Sequence, residues 1–313
     1  MDGRIDLMTN LDASQDSTFL TRGSIKLIDR QPDLNSLVQK LSHCQHLAVD
    51  TEANGFFAYY ERVCLIQISD GRENYIIDPL SVKDCSPLRL LCENPDIEKI
   101  MHDGMNDVSG LKRDFNISVI NLFDTAVACR VLGKKRRGLG SLVEEYFGIK
   151  LDKKGQQYNW GKRPLESKYL YYAALDVYFL IPLAEKLKTE LAARDLLDIA
   201  KERSKAVANS LIPARSFPRN GFARIQGYED LDDDAKAVVR RLYAWRDSLA
   251  RRWDRAPFRV LPNNTIVLLA QNKPTTCEDL RRIKGLPRVF KKGSLAKTLL
   301  KIIWKEEEDK EAR

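Results

Sequence analysis

Asp50-Thr51-Glu52 follows the apolar run Leu47-Ala48-Val49, and two acids one residue apart are the first sign of chemistry in this chain. In a strand, residues i and i+2 share a face, so Asp50 and Glu52 present adjacent carboxylates. Like charges on a half-buried face repel unless a cation sits between them or one is protonated. A second acidic locus, His102-Asp103-Gly104-Met105-Asn106-Asp107, follows a strand-like Ile100-Met101. Asp103 is expected to N-cap a helix that begins near Gly104, with Asp107 in its first turn. The third locus is Tyr172-Ala173-Ala174-Leu175-Asp176, whose first and last residues stack on one helix face. An aspartate among Leu170, Ala173, Ala174, Val177 and Leu180 is expensive to bury without a partner. Taken singly, each locus has a plain alternative: turn chemistry for Asp50, a dipole-favoured surface acid for Asp107, a core tyrosine at Tyr172.

Taken together, the four carboxylates outweigh those alternatives. Oxygen-only ligation suits Mg²⁺ or Mn²⁺. Two such ions about 3.5–4 Å apart make a phosphodiester-cleaving site, one ion generating hydroxide and the other stabilising the leaving oxygen. The histidines are His43, His46 and His102, none of them near Asp176 in sequence. Tyr172 is therefore the better candidate for orienting the attacking water. No nucleotide cofactor is expected.

The elements that must position these residues are legible from periodicity. Strand-like runs occur at 25–28, 47–50, 63–68, 75–78 and 100–102. Helical patterns lie at about 33–41, 86–94, 105–114, 123–132 and 139–147, with a long one over 166–192. Strands first, then strands alternating with helices, predict an α/β layer with a mixed sheet. Pro213, Pro218, Gly221 and Gly227 mark 210–230 as a linker. Beyond it, an acidic helix start at Asp232 and further helices at 264–271, 276–283 and 294–304 predict a small all-helical domain. The expected organisation is a tail at 1–22, a first domain at 23–209, the linker, a second domain at 231–305 and a charged tail at 306–313.

Charge divides along the same line. Residues 1–205 carry a net charge of −1 and residues 206–313 a net of +9, as expected for a nucleic-acid-binding appendage. The candidate contacts are Arg251, Arg252, Arg281, Arg282, Lys284 and Lys291, with Trp253 and Phe258 placed to stack on bases. Lys134-Lys135-Arg136-Arg137 forms a second basic cluster, inside the first domain. The six cysteines form no CxxC pair and read as reduced thiols. No apolar stretch approaches the roughly 18 residues that span a bilayer, and the N-terminus lacks a signal-peptide pattern. A cytoplasmic protein without membrane partners is expected.

Asp50-Thr51-Glu52, His102 through Asp107 and Tyr172-x-x-x-Asp176 together resemble the three motifs of the DEDDy family of 3′-5′ exonucleases. The flanking Leu65-Ile66-Gln67-Ile68, Phe123-Asp124-Thr125 and Trp160-Gly161-Lys162-Arg163-Pro164-Leu165 resemble the ribonuclease D branch. The resemblance implies a ribonuclease-H-like (DnaQ-like) fold and two divalent cations on Asp50, Glu52, Asp107 and Asp176, with Tyr172 placing the water. In the related histidine-type enzymes a histidine stands five residues before the last aspartate, where this chain has Tyr171. Residues 231–305 resemble the helicase-and-ribonuclease-D C-terminal (HRDC) domain through Leu242-Tyr243-Ala244-Trp245-Arg246 and Leu280-Arg281-Arg282-Ile283-Lys284-Gly285. The turn after Gly285 departs from the family, reading Leu286-Pro287-Arg288. The function implied is a 3′-5′ exoribonuclease acting on RNA with a free 3′ end, with tRNA precursors as the expected class. A Werner-type DNA exonuclease and a catalytically decayed RNA-binding module are the alternatives. Exosome-associated exonucleases share the layout but usually carry long additional segments.

Overall fold

Leu47 and Val49 pack with Leu34, Leu37, Val38 and Leu41, whereas Ala48 between them packs with Ile100, Phe123, Val177 and Leu180. One strand thus faces two cores, and the elements around it follow from that alternation. The computed structural model describes residues 25–152, 155–210 and 217–305; the tails expected at 1–22 and 306–313 lie outside them. The chain divides into two units, Met1–Asn54 with Arg62–Ala214, and Gly55–Glu61 with Arg215–Arg313.

The first unit is built on six strands, β1 (Ile25–Ile28), β2 (His46–Ala53), β3 (Val63–Ser69), β4 (Asn74–Ile77), β5 (Glu98–Met101) and β6 (Leu122–Asp124). Their order is β1-β4-β3-β2-β5-β6. β3 runs antiparallel to both β2 and β4, and β2, β5 and β6 are mutually parallel. The sheet is mixed, as expected. Helices α1 (Gln31–Leu41) and α3 (Met105–Phe115) supply the core on the Val49 side. The other side is covered by α6 (Ser167–Tyr178) and α7 (Leu180–Ala192), with α4 (Thr125–Val131) and α5 (Leu139–Phe147) adding Cys129 and Leu142 to that core, whereas α2 (Arg89–Cys92) packs on the Val49 side.

Three elements differ from expectation. The helix over 166–192 is two helices that break at Phe179, because Pro182 has no N–H and its ring clashes with the carbonyl of residue i−4, Tyr178. The pattern at 123–132 begins as strand β6, and Asp124 then caps α4 by accepting from the Val127 N–H. Helix α8 (Leu197–Asn209) is absent from the sequence-based expectation: it buries only Ala200, Ser204 and Val207, too small and polar a stripe to register as amphipathic.

In the second unit, Asp232 caps α9 (Asp233–Trp253) through its carboxylate and the Ala235 N–H. Helices α10 (Pro257–Val260), α11 (Asn263–Asn272), α12 (Cys277–Arg282) and α13 (Gly293–Ile303) complete it. Thr276 and Asp279 form a reciprocal capping box at the start of α12. Much of the expected linker belongs to this unit: Ile225, Tyr228 and Leu231 are buried in the same core as Leu242 and Leu269. So does the segment between β2 and β3. Ala256 donates to the Phe57 carbonyl at 3.0 Å, and the Tyr59 and Tyr60 N–H groups donate to Asp254 at 3.1 and 3.0 Å. The Tyr59 hydroxyl donates to Asp247. No helix among the described residues is long and apolar enough to cross a membrane.

Candidate active site

Because Ala48 faces the α6–α7 side, its period-two successors Asp50 and Glu52 turn the same way, toward the helix that carries Asp176. Carboxylate oxygens of Asp50, Glu52 and Asp176 lie within 4.8 Å of one another, and all three side chains are half-buried. Asp107, in the first turn of α3, is not one of these three, but its charge acts on each of them. β5 pairs with β2 only as far as Ala48, so the edge of β2 is open beyond that point. There the Thr51 N–H and hydroxyl both donate to Asp107 Oδ1, at 3.0 and 2.5 Å.

Electrostatics follow from that crowding. Burial, then the charges of Asp107, Asp176 and Glu52, push the Asp50 carboxyl well above the carboxylate range. Glu52 rises for the same reasons, burial first and then Asp176 and Asp107. Burial and Asp107 push Asp176 up to about 7. Asp107 rises only to about 6, since the Thr51 hydrogen bonds oppose its burial. Four acids that resist ionising side by side are what a divalent cation would relieve. Tyr172, with burial and the acids around it, is held far above the usual tyrosine range.

A cleft of about 590 Å³ is lined by Asp50, Tyr172 and Asp176 together with Arg130, Arg137 and Gly138 at the start of α5. Of the basic cluster at 134–137, Arg137 therefore meets the cleft. Lys134 is committed elsewhere, to Glu145 and Glu190 and to the face of Tyr146.

Sequence reasoning assigns no role to several residues that hold the site, although Asp124, Trp160 and Arg163 stand in its flanking motifs. Asp103 is not the cap of α3: that position is Gly104, and Asp103 adopts φ +55 with an exposed side chain. The acceptor is instead the fully buried Asp124, whose carboxylate takes the N–H groups of Asp103 and Gly104 at 3.2 and 2.8 Å as well as that of Val127. One side chain thus fixes the entry to α3 and the start of α4; the signal available was its place three residues before Val127 at a helix start. Gly155 lies against Tyr172 so closely that a β-carbon there would sit 2.3 Å from the ring. Trp160, fully buried, flanks the same ring at 6.1 Å between centroids. Arg163 anchors that loop through two bonds to Asp78, at 2.7 and 2.6 Å, and others to the Trp160 and Cys64 carbonyls.

The expected nucleic-acid contacts fall in two groups within the second unit. Arg281, Arg282 and Lys284 are exposed near the end of α12, with Lys291 donating to the Arg281 carbonyl. Arg251 and Arg252 are exposed at the end of α9. Trp253 is not placed to stack on a base: its ring stacks on the buried Phe290 at 6.0 Å and 21°.

A family profile described as 3′-5′ exonuclease matches residues 25–192, and an HRDC domain profile matches residues 235–303. Among curated proteins, RRP6-like 3 of Arabidopsis thaliana is 34% identical over 278 residues, covering 81% of this chain and 31% of that protein. The exosome complex exonuclease RRP6 of Saccharomyces cerevisiae is 31% identical, covering 79% of this chain and 36% of its own length. The chain thus spans about a third of the length of such relatives. Among solved structures, the catalytic core of RRP6 from Trypanosoma brucei superposes with a TM-score of 0.80 at 26% identity, over 91% of this chain and 80% of that one. Escherichia coli RNase D, an exoribonuclease involved in structured RNA processing, gives 0.64 at 29% identity, over 89% and 74%. A mixed-sheet core bearing clustered acids on β2, α3 and α6, followed by five helices of the second unit, matches both profiles in order: the chain belongs to the 3′-5′ exonuclease family and carries an HRDC domain after the exonuclease domain.

Proposed function

We propose that this chain is a divalent-metal-dependent 3′-5′ exoribonuclease of the RRP6 type, removing nucleotides from RNA 3′ ends. The observation that carries this reading is the meeting of Asp50, Glu52 and Asp176 oxygens within 4.8 Å at the cleft. An all-oxygen set of acids that disfavour ionisation fits Mg²⁺ or Mn²⁺, and Asp50, Glu52, Asp107 and Asp176 would hold two such ions. When bound, the metal polarises the phosphodiester and lowers the pKa of water. Asp107 Oδ1 is occupied by Thr51, so Oδ2 is the oxygen it has to offer. Tyr172 lines the cleft beside Asp176, where its hydroxyl would orient the attacking water. Arg130 and Arg137 line the same cleft, where they would take phosphates of the strand.

The higher TM-score on RRP6 than on RNase D, 0.80 against 0.64, together with the 31% identity to the exosome complex exonuclease RRP6, supports 3′-end trimming in company with an exosome over tRNA-precursor processing by a free cytoplasmic enzyme. On this reading the exonuclease domain keeps its expected bounds of 23–209 apart from Gly55–Glu61, and the second domain starts within the expected linker, ahead of 231. The test is a time course on 5′-labelled RNA and DNA of one sequence, with Mg²⁺, Mn²⁺ or EDTA. A ladder of single-nucleotide steps on RNA, abolished by EDTA, is expected. Faster shortening of DNA would make this a DNA exonuclease, and RNA binding without cleavage would make it a decayed module. Co-purification of the tagged chain with exosome subunits tests the proposed company.

A further inference from the structure

In the second unit, aromatic side chains face water where nothing in the packing requires it. Phe56 is 59% exposed, Tyr60 58% and Phe258 44%. Phe56 and Phe258 meet edge to face with ring centroids 6.5 Å apart. They are not loose. Arg259 Nε donates to the Phe56 carbonyl at 2.6 Å, and its guanidinium lies 3.8 Å from the Phe57 ring centroid. Together with the Ala256–Phe57 bond and the two N–H bonds to Asp254, this clamps the backbone beneath both phenylalanines. Ordered, exposed apolar rings mark an interaction surface.

The charge beside them selects the partner. The nine residues from 251 to 259 hold Arg251, Arg252, Arg255 and Arg259 against one acid, Asp254, whose Oδ1 already accepts from two backbone donors. Arg252 and Arg255 are exposed and make no ion pair among the described residues. Flat π-faces with uncompensated arginines suit a polyanion that carries its own π-faces.

We propose that Phe56 and Phe258 form a shelf that binds single-stranded RNA, their rings stacking on bases while Arg252 and Arg255 take phosphates. The site rests on the reading that this chain acts on RNA. It deepens that reading by assigning a strand-binding residue, Phe56, four residues after Glu52 in sequence.

The experiment is fluorescence anisotropy of labelled oligo(A) of about twelve nucleotides on the full chain in EDTA, so that nothing is cleaved. Phe56→Ala with Phe258→Ala should weaken binding about tenfold or more. The Leu pair, which keeps apolar bulk and loses the π-faces, should weaken it comparably, and the Trp pair should restore it. Leu90→Ala, at a still more exposed apolar side chain in the first unit, is the control and should change nothing. Arg252→Gln with Arg255→Gln should flatten the salt dependence by about 0.7 for each phosphate left unneutralised. Melting curves check folding, and if the Ala pair unfolds, the Leu and Trp pairs decide. Wild-type affinity in the Leu pair would make the shelf a docking face for an apolar partner and overturn the proposal, as would an unchanged Ala pair that is folded. A chain that binds through the shelf but never cleaves overturns only the exonuclease reading; cleavage with shelf-independent binding overturns only this one.

Discussion

Asp107→Asn should stabilise the metal-free protein above neutral pH while abolishing turnover. The side chain is 8% exposed, and its Oδ1 accepts two bonds from Thr51. An asparagine oxygen can accept both, so the substitution removes a charge and little else. Burial moves the carboxyl from 3.8 up to about 6. A rise of about two units corresponds to about 3 kcal/mol of penalty on the ionised form. Asp50 and Asp176 share the repulsion, so the gain expected is about 1–3 kcal/mol. The sign follows from linkage. A folded-state pKa above the unfolded one means the folded protein holds the proton more tightly; the penalty is absent below about pH 4, builds through about pH 6, and is complete above it. Melting in EDTA should therefore show no gain for the variant at about pH 4 and a gain of about 2–10 °C at about pH 8. Added Mg²⁺ should then raise the melting point of the wild type more than that of the variant. A variant less stable than wild type at the higher pH, or a difference independent of pH, would refute the argument, because the carboxylate would then be a satisfied structural group.

The remaining expectations concern the rest of the site. Asp50→Asn or Asp176→Asn should remove cleavage in Mg²⁺ while the protein stays folded, measured by turnover beside circular dichroism; near-wild-type turnover would end the metal assignment. Tyr172→Phe should slow the chemical step by about 2–4 kcal/mol and weaken RNA binding far less, read from single-turnover rates against titrations. Gly155→Ala should mimic Tyr172→Phe in rate by displacing the ring that its β-carbon would overlap, an effect absent if the two are combined. Neutralising Arg281, Arg282 and Lys284 together should reduce the salt slope of RNA binding by about 0.7 for each phosphate that no longer meets a cation, and an unchanged slope would exclude that face.

How much of this was legible depended on the reach of each interaction along the chain. Asp50 with Glu52, and Tyr172 with Asp176, are neighbours within one element, so strand and helix periods alone set them side by side. An acid at an apolar position is conspicuous for the same local reason. Thr51 and Asp107 are 56 residues apart, and their pairing exists only because β5 stops at Met101 and leaves an N–H of β2 uncovered. Asp124 caps its own helix by a local rule but reaches the Asp103–Gly104 backbone only through sheet order, which places β6 beside β5. The capping rule misassigns Asp103 because it looks at the residue before a helix and cannot see an acceptor arriving from another strand. Gly155 carries no weight in the sequence at all, since its role is the closeness of a loop to one ring.

The segment from Gly55 to Glu61 shows the same limit at the scale of domains. By chain order it is the connection between β2 and β3 of the first unit. By packing it belongs to the second unit, where Tyr59 is buried to 7% exposure beside Ile225 and Leu249. Its backbone donors are satisfied by Asp254 and its tyrosine hydroxyl by Asp247, both on residues nearly two hundred positions away. Deleting 231–313 would therefore do more than remove a basic appendage. It would leave two N–H groups, a tyrosine and Phe57 without the partners that hold them, at the end of the strand that carries Asp50 and Glu52. Lost turnover in such a truncation would report that damage as readily as lost RNA grip. Point substitutions at exposed arginines and phenylalanines, which leave Asp247, Asp254 and Tyr59 in place, separate the two effects.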